Sequence, residues 1–510
     1  MQRQINMPYR TFFLFLGLSI LLRLPSFWIS VIDHDESTYA VIGSEIWRGG
    51  TYLYKDWVDT KPPGIFLIFA SIVAVFGKSI VAIRLVGAGA IALTATLLYI
   101  AKYRLSGGQH RLAYWTGIAY IVFTALHQWS LPTNTELFFN VFTAAAWCIV
   151  PALLPLPRSK PLFLLALCMG IGFVIKYVVL FDFVALCLVI SGIWLQNHYA
   201  QTHKIPFGQF FTLSIWAALG FALPFALCYA WFYANGLVTY FYEAAFEITR
   251  RYPSSFSIGK AAGFMGQFLL SYFPLVIGAI FTWYYAARAR QALPYPHLLR
   301  WGLPVCLLFA LLAALLPGKG FAHYLLQPLL PLLFWSIDGF YYQFIVSATN
   351  IATPETTNKR MPSNYMPNSI LWFIRHRYKW LWGISLVIIC LNSYRFALKP
   401  DWRGQIAAYL APQLAEKDKI YTPAATVLYF LLDKTPLTPY VHASLLTNAD
   451  HLQALQAGAA SEFRKIVAQK PRFVVLSPEK PHAVLQQYLA QSCQLKPTTI
   501  GGNFLIYECR

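Results

Sequence analysis

Acidic side chains are what this chain has least of: 20 of its 510 residues are Asp or Glu, against 40 Lys and Arg. Charged residues of both signs make up only 12% of the sequence, too few to coat a soluble protein of this length. Several motifs are missing as well. The chain has no P-loop, no GxGxxG after a strand, no HExxH and no GxSxG, so ATP hydrolysis and zinc proteolysis lose their usual support. No internal repeat is found, which counts against transporter folds built from inverted halves. Six of the eight cysteines (Cys148, Cys168, Cys187, Cys228, Cys306, Cys390) fall in apolar runs and read as small core hydrophobes. Cys493 and Cys509 alone lie in a soluble region, where a bridge is allowed but not implied by spacing.

What is present is apolar. Hydrophobic residues make up 57% and aromatics 17%, in long runs that recur about every twenty-five residues, the mark of a polytopic helical membrane protein. The first run, 11–32, follows Arg3 and Arg10 with no small-residue cleavage site after it, and is expected to be a retained anchor with a cytoplasmic N-terminus. The formal charge of +20 comes from bases in short loops between apolar runs, where they set orientation, so nucleic acid is not expected as a partner.

The topology turns on Pro62 to Phe76, a run shorter than the roughly 20 residues needed to span. If it does not cross, the bases Lys102, Arg104, Arg111, Arg158, Lys160, Lys204, Arg288, Arg290, Arg300, Lys359, Arg360, Arg375, Arg377 and Lys379 all fall on the cytoplasmic side. About eleven spans are then expected, near 11–32, 80–101, 112–130, 137–154, 162–176, 178–195, 207–232, 263–286, 301–316, 322–345 and 380–394. The expected organisation is a transmembrane module over 1–345, a cytoplasmic Thr/Asn/Pro/Ser-rich linker over 346–379, a last span at 380–394 and a small extracytoplasmic α/β domain over 395–510. In that domain, strand-like runs at 419–423, 472–477 and 503–509 alternate with helix-like stretches near 403–415, 424–432, 450–469 and 482–492.

Against this background the acids are unevenly placed. Six of the twenty lie between Asp33 and Lys61, whereas Thr60 to Asn350 holds only Glu136, Asp182, Glu243, Glu247 and Asp338. Asp35 and Glu36, just past the first span, can supply a general base for a hydroxyl attacking an electrophilic carbon; the bland alternative is a solvated polar cap. Lys61, before Pro62-Pro63 at headgroup level, suits a lipid phosphate, or is a snorkelling anchor; Arg84 follows at the outer end of the next run. Glu136 can orient an acceptor or sugar, bind a divalent metal with Asp35, or cap its helix beside Thr133, Asn134 and Thr135. Lys319, His323 and Tyr324, in a turn between two spans, either complete a phosphate or sugar site or form only a polar turn. Arg250 and Arg251 are weaker candidates for an anionic headgroup. No second histidine stands at ligand spacing from His34, and the metal question stays open.

An Asp-Glu pair in the first outward loop, then Tyr39, Gly49-Gly50, Tyr54, Lys61-Pro62-Pro63 opening a short apolar helix, Gly77 and Arg84, resembles the GT-C superfamily of glycosyltransferases that use polyprenyl-phosphate sugars. The similarity covers roughly residues 10 to 345 and is most specific from Asp33 to Arg84. It is to the bacterial branch that includes protein O-mannosyltransferases and the aminoarabinose transferase acting on lipid A. The resemblance implies a GT-C-type helical fold with loop helices lying along the membrane surface. It also implies inverting transfer of a sugar from a lipid-phosphate carrier to a hydroxyl of lipid A, a surface polysaccharide or a protein, at the outer face of the inner membrane. By the same resemblance Asp35 is the base, Lys61 and Arg84 hold the lipid phosphate, and Glu136 is the second acid, with Glu36 and Tyr39 beside them. A transporter or flippase of a lipid-linked saccharide is the alternative.

Overall fold

A computed structural model describes residues 2–251, 257–288 and 297–341; between 383 and 510 it describes all but 385–386, 393, 443, 447, 449–450, 452–457, 479–480, 498–499 and 501–503. The expected linker at 346–379 lies outside the described residues, and the expected last span at 380–394 is described only in part.

Long apolar runs have no choice but helix in a lipid environment, because every backbone N–H and C=O must find a partner within its own segment. The chain accordingly folds as α1 (Gln2–Arg23), α2 (His34–Arg48), α3 (Pro63–Phe76), α4 (Ile80–Leu105), α5 (His110–Ala125), α6 (Thr135–Leu153), α7 (Ser159–Ile175), α8 (Val179–Thr202) and α9 (Phe207–Ala234). After the short helices α10 (Val238–Tyr242) and α11 (Ile248–Arg251) come α12 (Ile258–Arg288), α13 (Leu303–Leu315) and α14 (Leu329–Tyr341). Among the described residues six helices are long and apolar enough to cross a membrane: Ile80–Leu105, Thr135–Leu153, Val179–Thr202, Phe207–Ala234, Ile258–Trp283 and Leu298–Leu315. Most of the other expected spans are helices too short to qualify singly, such as the 17 residues of α7 and the 13 of α14. Along its 28 residues α9 buries only Leu213, Ala217, Gly220 and Phe232, so apolar side chains face outward almost all round, as on a lipid-facing perimeter helix.

Two helices between α1 and α4 set up the site. α2 is amphipathic and buries Glu36 through Glu45, while α3 has 14 residues, about 21 Å at 1.5 Å per residue and short of a ~30 Å hydrocarbon core. They can touch because Gly43 has no side chain: a Cβ there would stand 2.7 Å from Phe69 Cβ and 2.8 Å from Ala70 N. Gly64 does the same at the start of α3, where a Cβ would meet Val174 O at 2.7 Å. That contact seats Lys61-Pro62-Pro63 beside the end of α7. At the far end of α4, Lys102 was expected in a cytoplasmic loop; the helix instead continues to Leu105, and Lys102 is buried against Asp338 of α14 and the Phe334 carbonyl.

The tail is a mixed four-stranded sheet with order β1 (Ile420–Tyr421), β2 (Phe473–Leu476), β4 (Leu505–Cys509), β3 (Cys493–Leu495). The β1–β2 pair is parallel and the other two pairs are antiparallel. Helices α15 (Trp402–Leu410), α16 (Val427–Leu431), α17 (Ala459–Ala468) and α18 (Ala483–Ser492) alternate with the strands. Cys493 and Cys509 face one another in register across β3 and β4 and are joined by a disulfide.

Candidate active site

Asp33 is the N-cap of α2, its carboxylate accepting the Asp35 backbone N–H at 3.1 Å, so the next acids fall in the first helical turn, where the helix dipole favours negative charge. Asp35 keeps 18% of its side-chain exposure. Its Oδ1 lies 3.5 Å from Lys61 Nζ and 3.2 Å from His442 Nε2, and its Oδ2 accepts from the Tyr39 hydroxyl at 3.2 Å. Burial opposes ionisation of Asp35, but the Lys61 ammonium and the hydrogen bond from His442 outweigh it and hold the carboxyl well below its usual range. Lys61 is pushed the other way: burial lowers its pKa, yet Asp35 and Asp59 raise it above the ordinary lysine value. Both groups are therefore charged at neutral pH.

Lys61 is held at both ends. Its backbone N–H donates to Asp59 Oδ1 at 3.0 Å and its carbonyl accepts from the Tyr54 hydroxyl at 2.7 Å. Its ammonium lies 3.6 Å from Asp59 Oδ1 and 5.6 Å above the Tyr39 ring. Tyr54 takes a left-handed backbone at φ 70°, uncommon for a residue with a Cβ, and is clamped there by ring contacts with Phe232 and Phe241 at 5.4 and 5.5 Å. A strained residue whose hydroxyl fixes the lysine backbone is the kind of outlier that clusters at working sites.

The second half of the site comes from distant sequence. Glu136, in the first turn of α6, pairs with Lys176, which stands at the break between α7 and α8 with its ammonium 4.1 Å above the Tyr324 ring. Asp33 joins the halves: Asn134 Nδ2 donates to its Oδ2 at 3.0 Å, and His323 Nδ1 lies 3.6 Å from the same oxygen. His323 is close enough to interact electrostatically with both Asp35 and Glu136, and Tyr324 with Lys61, Asp35 and Glu136.

Of the residues singled out in the sequence, Asp35, Tyr39, Lys61, Glu136, His323 and Tyr324 thus converge. Lys319 is half-buried in the adjoining turn, between Gly318 and Gly320 at φ 65° and 64°. Glu36 and Arg84 are the exception. One residue along a helix is a rotation of about 100°, so Glu36 points inward from its neighbour. Buried, it meets Arg84 Nη1 and accepts from the Thr133 backbone N–H at 2.9 Å. Arg84, only 1% exposed, is engaged by Glu36. Arg250 and Arg251 pair with Glu247 and Glu243 on their own helical stretch. No group of three or more His, Cys, Asp or Glu side chains is arranged to hold a metal ion among the described residues.

Lys176 and His442 were missed. Lys176 carried a signal, as the one Lys or Arg between Lys160 and Lys204 in an apolar stretch, where an ionisable side chain needs a partner or a role. His442 carried none, since it reaches Asp35 across 407 residues of chain.

Residues 60–219 match the sequence pattern of the family described as dolichyl-phosphate-mannose-protein mannosyltransferase, a range that includes Lys61, Glu136 and Lys176. No curated protein sequence matches the chain. Among solved structures, apo ArnT from Cupriavidus metallidurans is similar at 16% identity and TM-score 0.62, covering 97% of each chain. ArnT from the same organism bound to undecaprenyl phosphate is similar at TM-score 0.57 with the same identity and coverage, 16% and 97% of each chain. The oligosaccharyltransferase of Archaeoglobus fulgidus in its apo form is more distant, at 11% identity and TM-score 0.51, covering 92% of this chain and 69% of that one. The family pattern thus covers residues 60–219, and the likeness to ArnT over the length of the chain is one of fold.

Proposed function

We propose that the rim cluster transfers a sugar from a polyprenyl-phosphate carrier to an acceptor hydroxyl with inversion at the anomeric carbon. The observation that carries this reading is the pairing of Asp35 with Lys61 at 3.5 Å, within electrostatic reach of Tyr324, which also reaches Glu136 of the Glu136–Lys176 pair. A carboxylate and two ammonium groups at one rim meet the needs of this chemistry. The acceptor oxygen attacks the anomeric carbon and its proton passes to Asp35, while the bond from that carbon to the phosphate oxygen breaks with its electron pair staying on the phosphate. Lys61 and Lys176 stabilise the charge that develops there. Before the carrier binds, Lys61 neutralises Asp35; an incoming phosphate competes for the ammonium, and Asp35 becomes a better base as its partner is drawn away. Glu136 orients acceptor or sugar hydroxyls, and His323, Tyr324 and Lys319 line the carrier side.

The same reading puts this rim and the tail on the extracytoplasmic face of the inner membrane, with the N-terminus inside. The Cys493–Cys509 disulfide supports it, because such bonds persist in oxidising compartments. Purified protein in liposomes, given undecaprenyl phosphate charged with labelled mannose or aminoarabinose and a membrane extract as acceptor source, should release undecaprenyl phosphate and label an acceptor. Asp35→Asn should abolish this. Movement of the labelled lipid between leaflets that persists in Asp35→Asn, without transfer by either protein, would make the chain a flippase.

A further inference from the structure

The soluble tail touches the membrane module at several points around the site. Ser30 Oγ and its backbone N–H donate to Asp401, Thr435 Oγ1 donates to Glu45 Oε2 at 3.2 Å, and Arg48 and Lys78 both pair with Asp433. Nearest the site, the Val58 backbone N–H donates to the Pro439 carbonyl at 2.9 Å, just ahead of Asp59 and Lys61. The Val441 carbonyl is in turn held by Thr426 Oγ1 at 3.2 Å. These bonds fix the chain on which His442 stands.

The hydrogen bonds of His442 determine its tautomer. Its Nδ1 receives the backbone N–H of Ser444 at 3.3 Å, and a backbone N–H can only donate. Nδ1 therefore presents its lone pair, and the ring proton sits on Nε2, 3.2 Å from Asp35 Oδ1. The Ser444 hydroxyl, 2.8 Å from Nδ1 and 3.0 Å from His451 Nδ1, extends the same polarity: His451 donates to Ser444, Ser444 to His442, and His442 to Asp35. The chain of donors runs one way, so His442 is not placed to take a proton from Asp35. What it does is engage Oδ1 together with Lys61, leaving Oδ2, which among the described residues accepts from Tyr39 alone, as the less occupied oxygen.

We propose that the tail completes the catalytic centre: His442 is a positioning residue that donates Nε2–H to Asp35 Oδ1 and so directs Oδ2 to the acceptor hydroxyl. This rests on the glycosyl-transfer reading above. A tail that supplies a partner to the base also couples the two parts of the chain, because undocking it would leave Asp35 to Lys61 and Tyr39. Among the described residues, the titratable groups around the ring apart from Asp35 and Lys61 include His34 and His451, with Asp59 close to His451 through its charge.

The test compares His442→Phe, which removes the donor, with His442→Gln, which keeps an N–H at similar reach, in the full-length protein. Losing one hydrogen bond to a charged group should lower kcat about 10- to 100-fold in His442→Phe, with the KM for the carrier-linked sugar within about twofold, and His442→Gln should recover most of it. A second readout needs no acceptor. Carbodiimide couples only to protonated carboxyls, so labelling of Asp35, followed by peptide mass spectrometry across pH, should begin at higher pH in His442→Phe than in wild type. Ser444→Ala, which loosens the ring without removing it, should shift the onset in the same direction by less, and it carries the test if His442→Phe does not fold. Unchanged kcat and unchanged labelling in His442→Phe, or in Ser444→Ala where that variant carries the test, would overturn the proposal while Asp35→Asn remained inactive. Full transfer by Asp35→Asn would instead overturn the glycosyl-transfer reading beneath it.

Discussion

Asp35 and Glu36 are adjacent in sequence, both in the first turn of α2, and both paired with a cation, yet they belong to different regions of the molecule. Asp35 draws its partners from a loop, from its own helix and from the tail, and its side chain keeps 18% of its exposure. Glu36 is enclosed, with Arg84 and the Thr133 N–H occupying one oxygen. Lys102 with Asp338 repeats the enclosed arrangement at the other end of α4. A carboxylate–ammonium pair that solvent or substrate can reach is exchangeable, and its cation can be lent to a phosphate. One sealed in the interior is too costly to open, because either charge left alone in low dielectric carries an uncompensated desolvation penalty. Ion pairing alone does not separate Asp35 from Glu36; their exposure does.

The largest effect should come from Asp35→Asn, which lowers transfer about 10²- to 10⁴-fold while binding of undecaprenyl phosphate, followed by thermal shift, persists. Arg84→Met tests the other side of the comparison. It should cost about 3–5 kcal/mol of stability in detergent by leaving Glu36 unpaired, and Glu36→Leu in the same chain should restore most of it. Preserved melting with weakened carrier binding in Arg84→Met would break the distinction and return Arg84 to the phosphate site.

Lys61→Met should reduce transfer about 100-fold and weaken carrier binding, since both the phosphate and Asp35 lose their ammonium. It also has a pH signature. A carboxyl held low in the folded chain contributes stability that is present above its unfolded pKa, about 3.9 for Asp, and is lost as pH falls through the folded value. Asp35 is such a group, so transfer in the wild-type protein should not lose its base between about pH 6 and 8. Without Lys61 the acid limb should move upward, and an unmoved limb would show that the two charges are not coupled. Reduction of Cys493–Cys509 should matter least, changing transfer less than about twofold, because the bridge ties β3 to β4 far along the chain from His442. A larger loss would mean that the sheet, and not only the docking bonds near Asp433 and Pro439, holds His442 in place.

Much of the site was legible because lipid makes charge expensive. In a chain of apolar runs each acid stands out, and Asp35, Lys61 and Glu136 could be picked out on that ground. The same reasoning reached too far with Glu36 and Arg84, because scarcity marks a charged residue without saying whether it faces a cleft or a partner. It stopped short of Lys176, the isolated cation between Lys160 and Lys204. Helix positions followed the apolar runs closely; in the tail the strands near 420, 474 and 507 were read correctly, and β3, three residues long, was too short to register.

By itself the sequence determined the class of molecule, a helical bundle built on apolar runs with a small α/β tail, because hydrophobic length and charge scarcity are properties of the chain before it folds. Which carboxylate stays partly exposed and which is sealed, which lysine stands beside Glu136, and that the tail reaches back to Asp35 were decided only in three dimensions. A 100° step around a helix, the missing Cβ of Gly43 and Gly64, and docking across four hundred residues are relations between surfaces, and those exist only once the surfaces have met.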